Sequence, residues 1–145
     1  MSKNTEQDIY IASYDRSGGI YHYKMSDGKL HLAEITPMDR PSYMVVEGRR
    51  MYIVLREPFE NGESGVISYD LEDSGKLVNP SKIVSTQGIG ACHILTDNGE
   101  VYCANYSSGS VIRMPEQLIQ HTGQGVNPDR QDGPHAHFVG LTPDK

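Results

Sequence analysis

Gly19-Ile20-Tyr21-His22-Tyr23-Lys24, then Ser26-Asp27-Gly28-Lys29, then Leu30-His31-Leu32-Ala33-Glu34-Ile35: two short apolar-aromatic segments flank a tight turn. The Asp27-Gly28 pair supplies the turn chemistry, and the β-branched and aromatic residues supply the strands. Ile9-Tyr10-Ile11-Ala12-Ser13-Tyr14 gives a further strand upstream, and the pattern recurs downstream. Ser42-Tyr43-Met44-Val45-Val46 starts a second unit, followed by Met51 to Leu55, Gly65 to Tyr69 and Leu77 to Val84. Its turn at Asp73-Ser74-Gly75-Lys76-Leu77 echoes Ser26-Asp27-Gly28-Lys29-Leu30. A third unit comprises Cys92 to Leu95, Val101 to Tyr106 and Gly109 to Arg113.

The spacing decides the architecture. Tyr10, Tyr52 and Tyr102 occupy matching places at steps of 42 and 50, and Ile20, Val66 and Val111 do so at steps of 46 and 45. Four short strands recurring about every 45 residues mark a β-propeller blade. A β-sandwich also has many short strands but gives no reason for this recurrence. The expectation is an all-β chain of about three four-stranded blades plus the first strand of a fourth, a partial ring. The units run approximately over 8–40, 41–88 and 89–132, with 133–145 opening the next and 1–7 forming a flexible N-terminus. Met114 to His121 reads as a helical turn or an edge strand, since Pro115 suits either and fits a central strand poorly. Three blades leave two open sides, so the expected partners are other copies of the chain or the remaining blades of a longer one.

Composition narrows the function. A net charge of −6 without a Lys/Arg cluster argues against nucleic acid, and no apolar run approaches membrane-spanning length. No signal peptide is read at the N-terminus, and with two cysteines, Cys92 and Cys103, read as packed thiols, the expectation is a cytoplasmic protein. One arginine can still hold a small anionic substrate.

Pro41-Ser42-Tyr43, Gly90-Ala91-Cys92-His93, Ala104-Asn105-Tyr106-Ser107-Ser108-Gly109-Ser110-Val111 and Asn127-Pro128-Asp129-Arg130-Gln131-Asp132-Gly133-Pro134-His135-Ala136-His137 together resemble the seven-bladed lactonase family. That family includes propeller-type 6-phosphogluconolactonases and relatives of the carboxymuconate cyclases. The resemblance runs from about Asp8 and implies that the chain is the N-terminal portion of such a propeller. It implies hydrolysis of 6-phospho-D-glucono-1,5-lactone to 6-phosphogluconate without cofactor or metal. Another carboxylated lactone, a cycloisomerase reaction or a non-catalytic binding segment are the alternatives, because fold does not fix chemistry. Arg56 departs from the asparagine usual before the glutamate, and would alter anion binding or pair with Glu57.

Lactone hydrolysis needs a base for water, charge stabilisation for the carbonyl oxygen and an acid for the ring oxygen. His135 and His137, two residues apart at the start of a strand, face the same way, and with His93 they fall on or near innermost strands. Their structural reading is a capped turn and a packed ring. His93, His135, His137 and Glu57 are therefore the catalytic candidates. Arg130 would bind a phosphate or carboxylate, or pair with Asp129 or Asp132. Asn105 would bind a substrate hydroxyl or satisfy turn amides. His93, His135 and His137 could alternatively hold zinc, although no standard spacing supports it. His22, His31 and His121 are set aside as outer-strand or turn residues.

Overall fold

The computed structural model describes residues 6–144. The flexible segment expected over 1–7 lies largely outside them, and β1 is already paired at Gln7. Three antiparallel sheets follow one another along the chain. The first contains β1 (Gln7–Ser13), β2 (Gly19–Ser26) and β3 (Lys29–Pro37), in that order. The second is β4 (Pro41–Glu47), β5 (Arg50–Leu55), β6 (Gly65–Leu71) and the short β7 (Leu77–Val78), with β8 (Val84–Ser85) also paired to β6. The third is β9 (Ala91–Asp97), β10 (Glu100–Asn105), β11 (Ser110–Arg113) and β12 (Gln117–Gln120). These are propeller blades in an unclosed ring.

Local chemistry sets the hairpins. Asp27 and Gly28 have φ of 50° and 72°, and Asn98 and Gly99 have 52° and 81°. Two consecutive left-handed residues make the two-residue turn whose twist matches the strands it joins. Glu47 and Arg50 are joined through Gly48 at φ 59°, where glycine takes the left-handed first position.

Alternation along β5 divides the core. Met51, Ile53 and Leu55 point toward the first sheet and pack with Ile20 and Leu77, joined by Tyr10 and Ala12. Val54, together with Val66 from β6, points the other way and packs with Ala91, Ile94, Cys103 and Ile112 of the third sheet. Each sheet thus buries its faces against its neighbours in sequence, as stacked blades must.

Some strand expectations narrow or change. The segment from Leu77 to Val84 divides into β7 and β8, separated at Pro80 where a ladder donor is missing. Within Met114 to His121 the edge-strand reading holds over Gln117–Gln120, after a turn at 114–116. Residues 135–141 are in no ladder among the described residues. The first sheet also has three strands, not four. Its β1 is the counterpart of β5 and β10, since Ala12 faces Ile20 as Val54 faces Val66 and Ala104 faces Val111. Nothing among the described residues takes the inner place that β4 and β9 hold. Among these residues no helix is long and apolar enough to cross a membrane.

Ile53 has no solvent exposure and joins two blades. Ile53→Ala is expected to cost about 2–5 kcal/mol in chemical denaturation, by lost burial plus the cavity left behind.

Candidate functional site

The innermost strands carry a repeated irregularity. In β4 the ladder pairs Pro41 with Leu55 and Tyr43 with Val54, skipping Ser42; in β9 it pairs Ala91 with Asn105 and His93 with Ala104, skipping Cys92. Such a bulge re-aims the extra residue out of the regular alternation. Ser42 Oγ reaches the Ala91 carbonyl at 3.3 Å, one blade onward. Cys92 Sγ makes the corresponding reach to the His137 carbonyl at 3.6 Å, with the Ala136 carbonyl also at 3.6 Å. Residues 134–141 therefore run along the third blade in the place of the next innermost strand. Cys92 is half-buried in that seam, and Cys103 is in the core; both are free thiols. Burial pushes the Cys92 thiol up, with Arg56 opposing it, and drives Cys103 up to about 12. Neither is a ready thiolate nucleophile.

Across these inner strands runs a ladder of rings. Tyr43 and His93 lie 4.9 Å apart between centroids, and His93 and Phe138 lie 4.6 Å apart. The Val139 N–H donates to His93 Nδ1 at 3.4 Å, which leaves the proton of the neutral imidazole on Nε2. Burial, and then the nearby charge of His137, hold the His93 pKa below its ordinary value of 6.5. His93 is accordingly a neutral Nε2–H donor at pH 7.

Tyr106, just past β10, organises the other two histidines. His135 stacks on its ring at 4.6 Å, and His137 meets it edge-on at 5.6 Å. His135 is fully engaged: Nδ1 lies 3.2 Å from the Tyr106 carbonyl and Nε2 lies 3.2 Å from Asp132 Oδ1. Both partners are acceptors, so a neutral ring donates to one at a time. His137 makes no hydrogen bond through its ring among the described residues, which leaves its nitrogens to a ligand.

The structure does not join the remaining candidates to this cluster by any contact among the described residues. Glu57 follows β5 and is held by Arg40, whose Nη1 donates to Glu57 Oε2 at 2.6 Å; Arg56 is not its partner. Arg130 is on an exposed loop, its N–H bonded to the Asn127 carbonyl. Asn105 is fully buried, with Nδ2 donating to the Thr86 carbonyl and Ser110 Oγ, both at 3.1 Å. Its Oδ1 has no hydrogen-bond partner among the described residues. His22, set aside from sequence, is buried against Asp8 at 2.6 Å and stacked on Tyr10. No group of three or more His, Cys, Asp or Glu among the described residues is placed to hold a metal ion.

Sequence reasoning missed Tyr43, Tyr106, Phe138 and Arg40. Tyr43 precedes His93 by the same 50 residues that separate Tyr52 from Tyr102, so the repeat itself marked it. Tyr106 and Phe138 stood beside named candidates. Arg40 carried no local signal, because its bond to Glu57 spans the inner strand between them.

Three successive antiparallel blades, the second and third with Tyr43 and His93 on their inner strands, define a partial propeller. A family model described as lactonase, 7-bladed beta-propeller matches residues 8–145, and the chain belongs to that family. The 6-phosphogluconolactonase of Bacillus subtilis strain 168 is 30% identical over 155 residues, covering 93% of this chain and 43% of the relative. An uncharacterized protein of Staphylococcus aureus strain N315 is 26% identical over 154 residues, covering 93% and 44%. Crystal structures of provisionally named 6-phosphogluconolactonases agree in fold. That from Bacteroides fragilis superposes with a TM-score of 0.82 at 24% identity, over 99% of this chain and 44% of its own. That from Bacteroides uniformis gives 0.82 at 25%, over 96% and 45%. The chain spans less than half the length of these relatives.

Two outcomes follow from the geometry. In an NMR titration the His93 ring is expected to protonate below pH 6.5, and His137→Gln to move that midpoint up without restoring it fully, since burial remains. Asn105→Ala is expected to destabilise the fold by about 1–3 kcal/mol in denaturant titration, as the Thr86 carbonyl loses its donor.

Proposed function

We propose that this site hydrolyses 6-phospho-D-glucono-1,5-lactone to 6-phosphogluconate, a step of the pentose phosphate pathway. The observation that carries the reading is the pairing of His93, a neutral donor, with His137, whose ring nitrogens are unengaged, across adjacent inner strands. His137 takes a proton from water as the hydroxyl adds to the lactone carbonyl carbon. The His93 Nε2–H donates to the carbonyl oxygen as negative charge develops there. The bond from that carbon to the ring oxygen then breaks, and the proton on His137 passes to the departing oxygen. Tyr106 fixes the His137 ring, and Arg130 at the exposed loop supplies a guanidinium for the phosphate. Glu57, tied to Arg40, orients water at the channel mouth, and Asn105 supports the strand end rather than touching substrate. The relative named 6-phosphogluconolactonase supports this substrate over other lactones.

The test is hydrolysis of freshly generated 6-phosphogluconolactone at controlled pH, with the spontaneous rate subtracted. Acceleration is expected to fall about 10²–10⁴-fold in His137→Ala, the usual worth of a positioned proton-transfer group. Equal rates with and without well-folded protein overturn the reading, as does an unaffected His137→Ala. Hydrolysis of a muconolactone alone would transfer it to another lactone.

A further inference from the structure

The second and third blades repeat the same corner where the inner strand begins. In the second, Pro41 of β4 lies opposite Leu55, and the Arg56 N–H donates to the Arg40 carbonyl at 3.2 Å. In the third, Ala91 of β9 lies opposite Asn105, and the Tyr106 N–H donates to the Gly90 carbonyl at 3.0 Å. Arg56 therefore holds in the second blade the place that Tyr106 holds in the third. From that place Tyr106 reaches forward onto the next inner segment, where its ring meets His135 and His137. The same step forward from Arg56 leads to the start of β9, where Cys92 and His93 sit.

Three observations put Arg56 on that seam. Val54 packs toward the third sheet, and Arg56, two residues on, continues the alternation on the same side. Ser64, fully buried, ties the two blades together: its Oγ donates to the Arg56 carbonyl at 2.6 Å and accepts from the Ala91 N–H at 3.0 Å. The positive charge of Arg56 is felt at the Cys92 thiol, where it opposes the larger upward push of burial.

The guanidinium has no counter-charge of its own there. Glu57, the adjacent carboxylate, is held by Arg40 at 2.6 Å, and Asp39 also pairs with Arg40 at 2.8 Å. Arg49, Arg50 and Arg113 likewise have carboxylate partners. The side chains of Arg16, Arg56 and Arg130 make no hydrogen bond or ion pair among the described residues; Arg16 and Arg130 are exposed, whereas Arg56 is half-buried. A half-buried guanidinium gives up water without gaining a partner, which suits it to an anion that fits its planar fork. His93 on the neighbouring strand brings no charge at pH 7, being held below its ordinary pKa by burial first.

We propose that Arg56 binds the anionic group of the substrate and makes the site selective for phosphorylated over uncharged lactones. This rests on the lactonase reading above, in which Arg130 meets the same phosphate from the loop. Arg56 meets it from the strand end, so that the two guanidiniums divide the phosphate oxygens between them and leave the lactone carbonyl to His93 and His137. At a net charge of −6 the chain has no general attraction for anions, so selection depends on local contacts of this kind.

The test compares 6-phosphogluconolactone with glucono-1,5-lactone, the same ring without phosphate, in the parent chain, Arg56→Gln and Arg56→Lys. Binding of inorganic phosphate is followed in parallel by calorimetry. Arg56→Gln is expected to raise KM for the phosphorylated lactone about 10–100-fold with kcat little changed, the worth of one charge-assisted contact. Its kcat/KM for glucono-1,5-lactone is expected to stay as in the parent. Arg56→Lys is expected to fall between the two, keeping the charge but losing the fork. The phosphate Kd is expected to weaken in Arg56→Gln and to stay unchanged in Arg16→Gln, which removes an exposed arginine elsewhere. Equal loss on both lactones, a fall confined to kcat, no phosphate binding by the parent, or an unchanged phosphate Kd in folded Arg56→Gln overturns the proposal. A parent chain that hydrolyses neither lactone overturns the lactonase reading instead, and the phosphate titration still decides whether Arg56 is the anion contact.

Discussion

A propeller blade is a sheet with two apolar faces and no helix to cover either, so each blade depends on the next for its burial. The second sheet shows the condition met. Met51, Ile53 and Leu55 are taken up by the first sheet, while Val54 and Val66 are taken up by the third. The first and third sheets meet it on one side each. Their other sides hold exposed isoleucines and leucines, Ile11, Leu32 and Ile35 at one end and Ile119 at the other. Apolar exposure of this extent marks an interface.

The bulge at Ser42 and again at Cys92 converts that dependence into a defined geometry. Face-to-face packing alone would let blades slide, whereas one side chain turned out of the ladder onto the next blade's carbonyl fixes the relative height of adjacent inner strands. The same residue type is not needed: a hydroxyl does it between the first seam's partners and a thiol between the second's. Cys92 is thereby a seam residue, which explains a half-buried thiol with a raised pKa that has no nucleophilic role.

Much of this was legible in the residues. The period, the Asp27-Gly28 turn and the β-rich composition led to blades, because hairpin and strand chemistry are local and recur. The missing inner strand of the first unit was also written in the sequence: Tyr10 matches Tyr52 and Tyr102, and those lie on second strands. Beginning the unit at Ile9 as though it were innermost concealed this. The site was less legible. Asn105 reads equally as a binding amide or a turn residue, and its enclosure by Thr86 and Ser110 is set by packing that no local pattern carries. Glu57 looked free to act on water or pair with adjacent Arg56, but its partner is Arg40, where the chain takes a left-handed φ of 46° to turn into β4. Pairings of this kind depend on backbone excursions that no local pattern announces.

The three histidines show how the seam and the chemistry share one segment. Beside the contacts of His93 with Tyr43 and of His135 with Asp132, their contacts cross from the third blade to residues 135–139: Tyr106 to His135 and His137, and His93 to Phe138 and Val139. His135 spends both ring nitrogens on Asp132 and the Tyr106 carbonyl, which anchors the segment. His137, two residues on, is held by Cys92 Sγ at its carbonyl and by an edge-on ring contact with Tyr106, and its ring makes no hydrogen bond among the described residues. Adjacent placement of an anchor and an open ring on one extended segment lets the first set the position of the second. Whatever pairs with that segment along its free side will stiffen it further, so completing the blade and fixing the histidines are the same physical event.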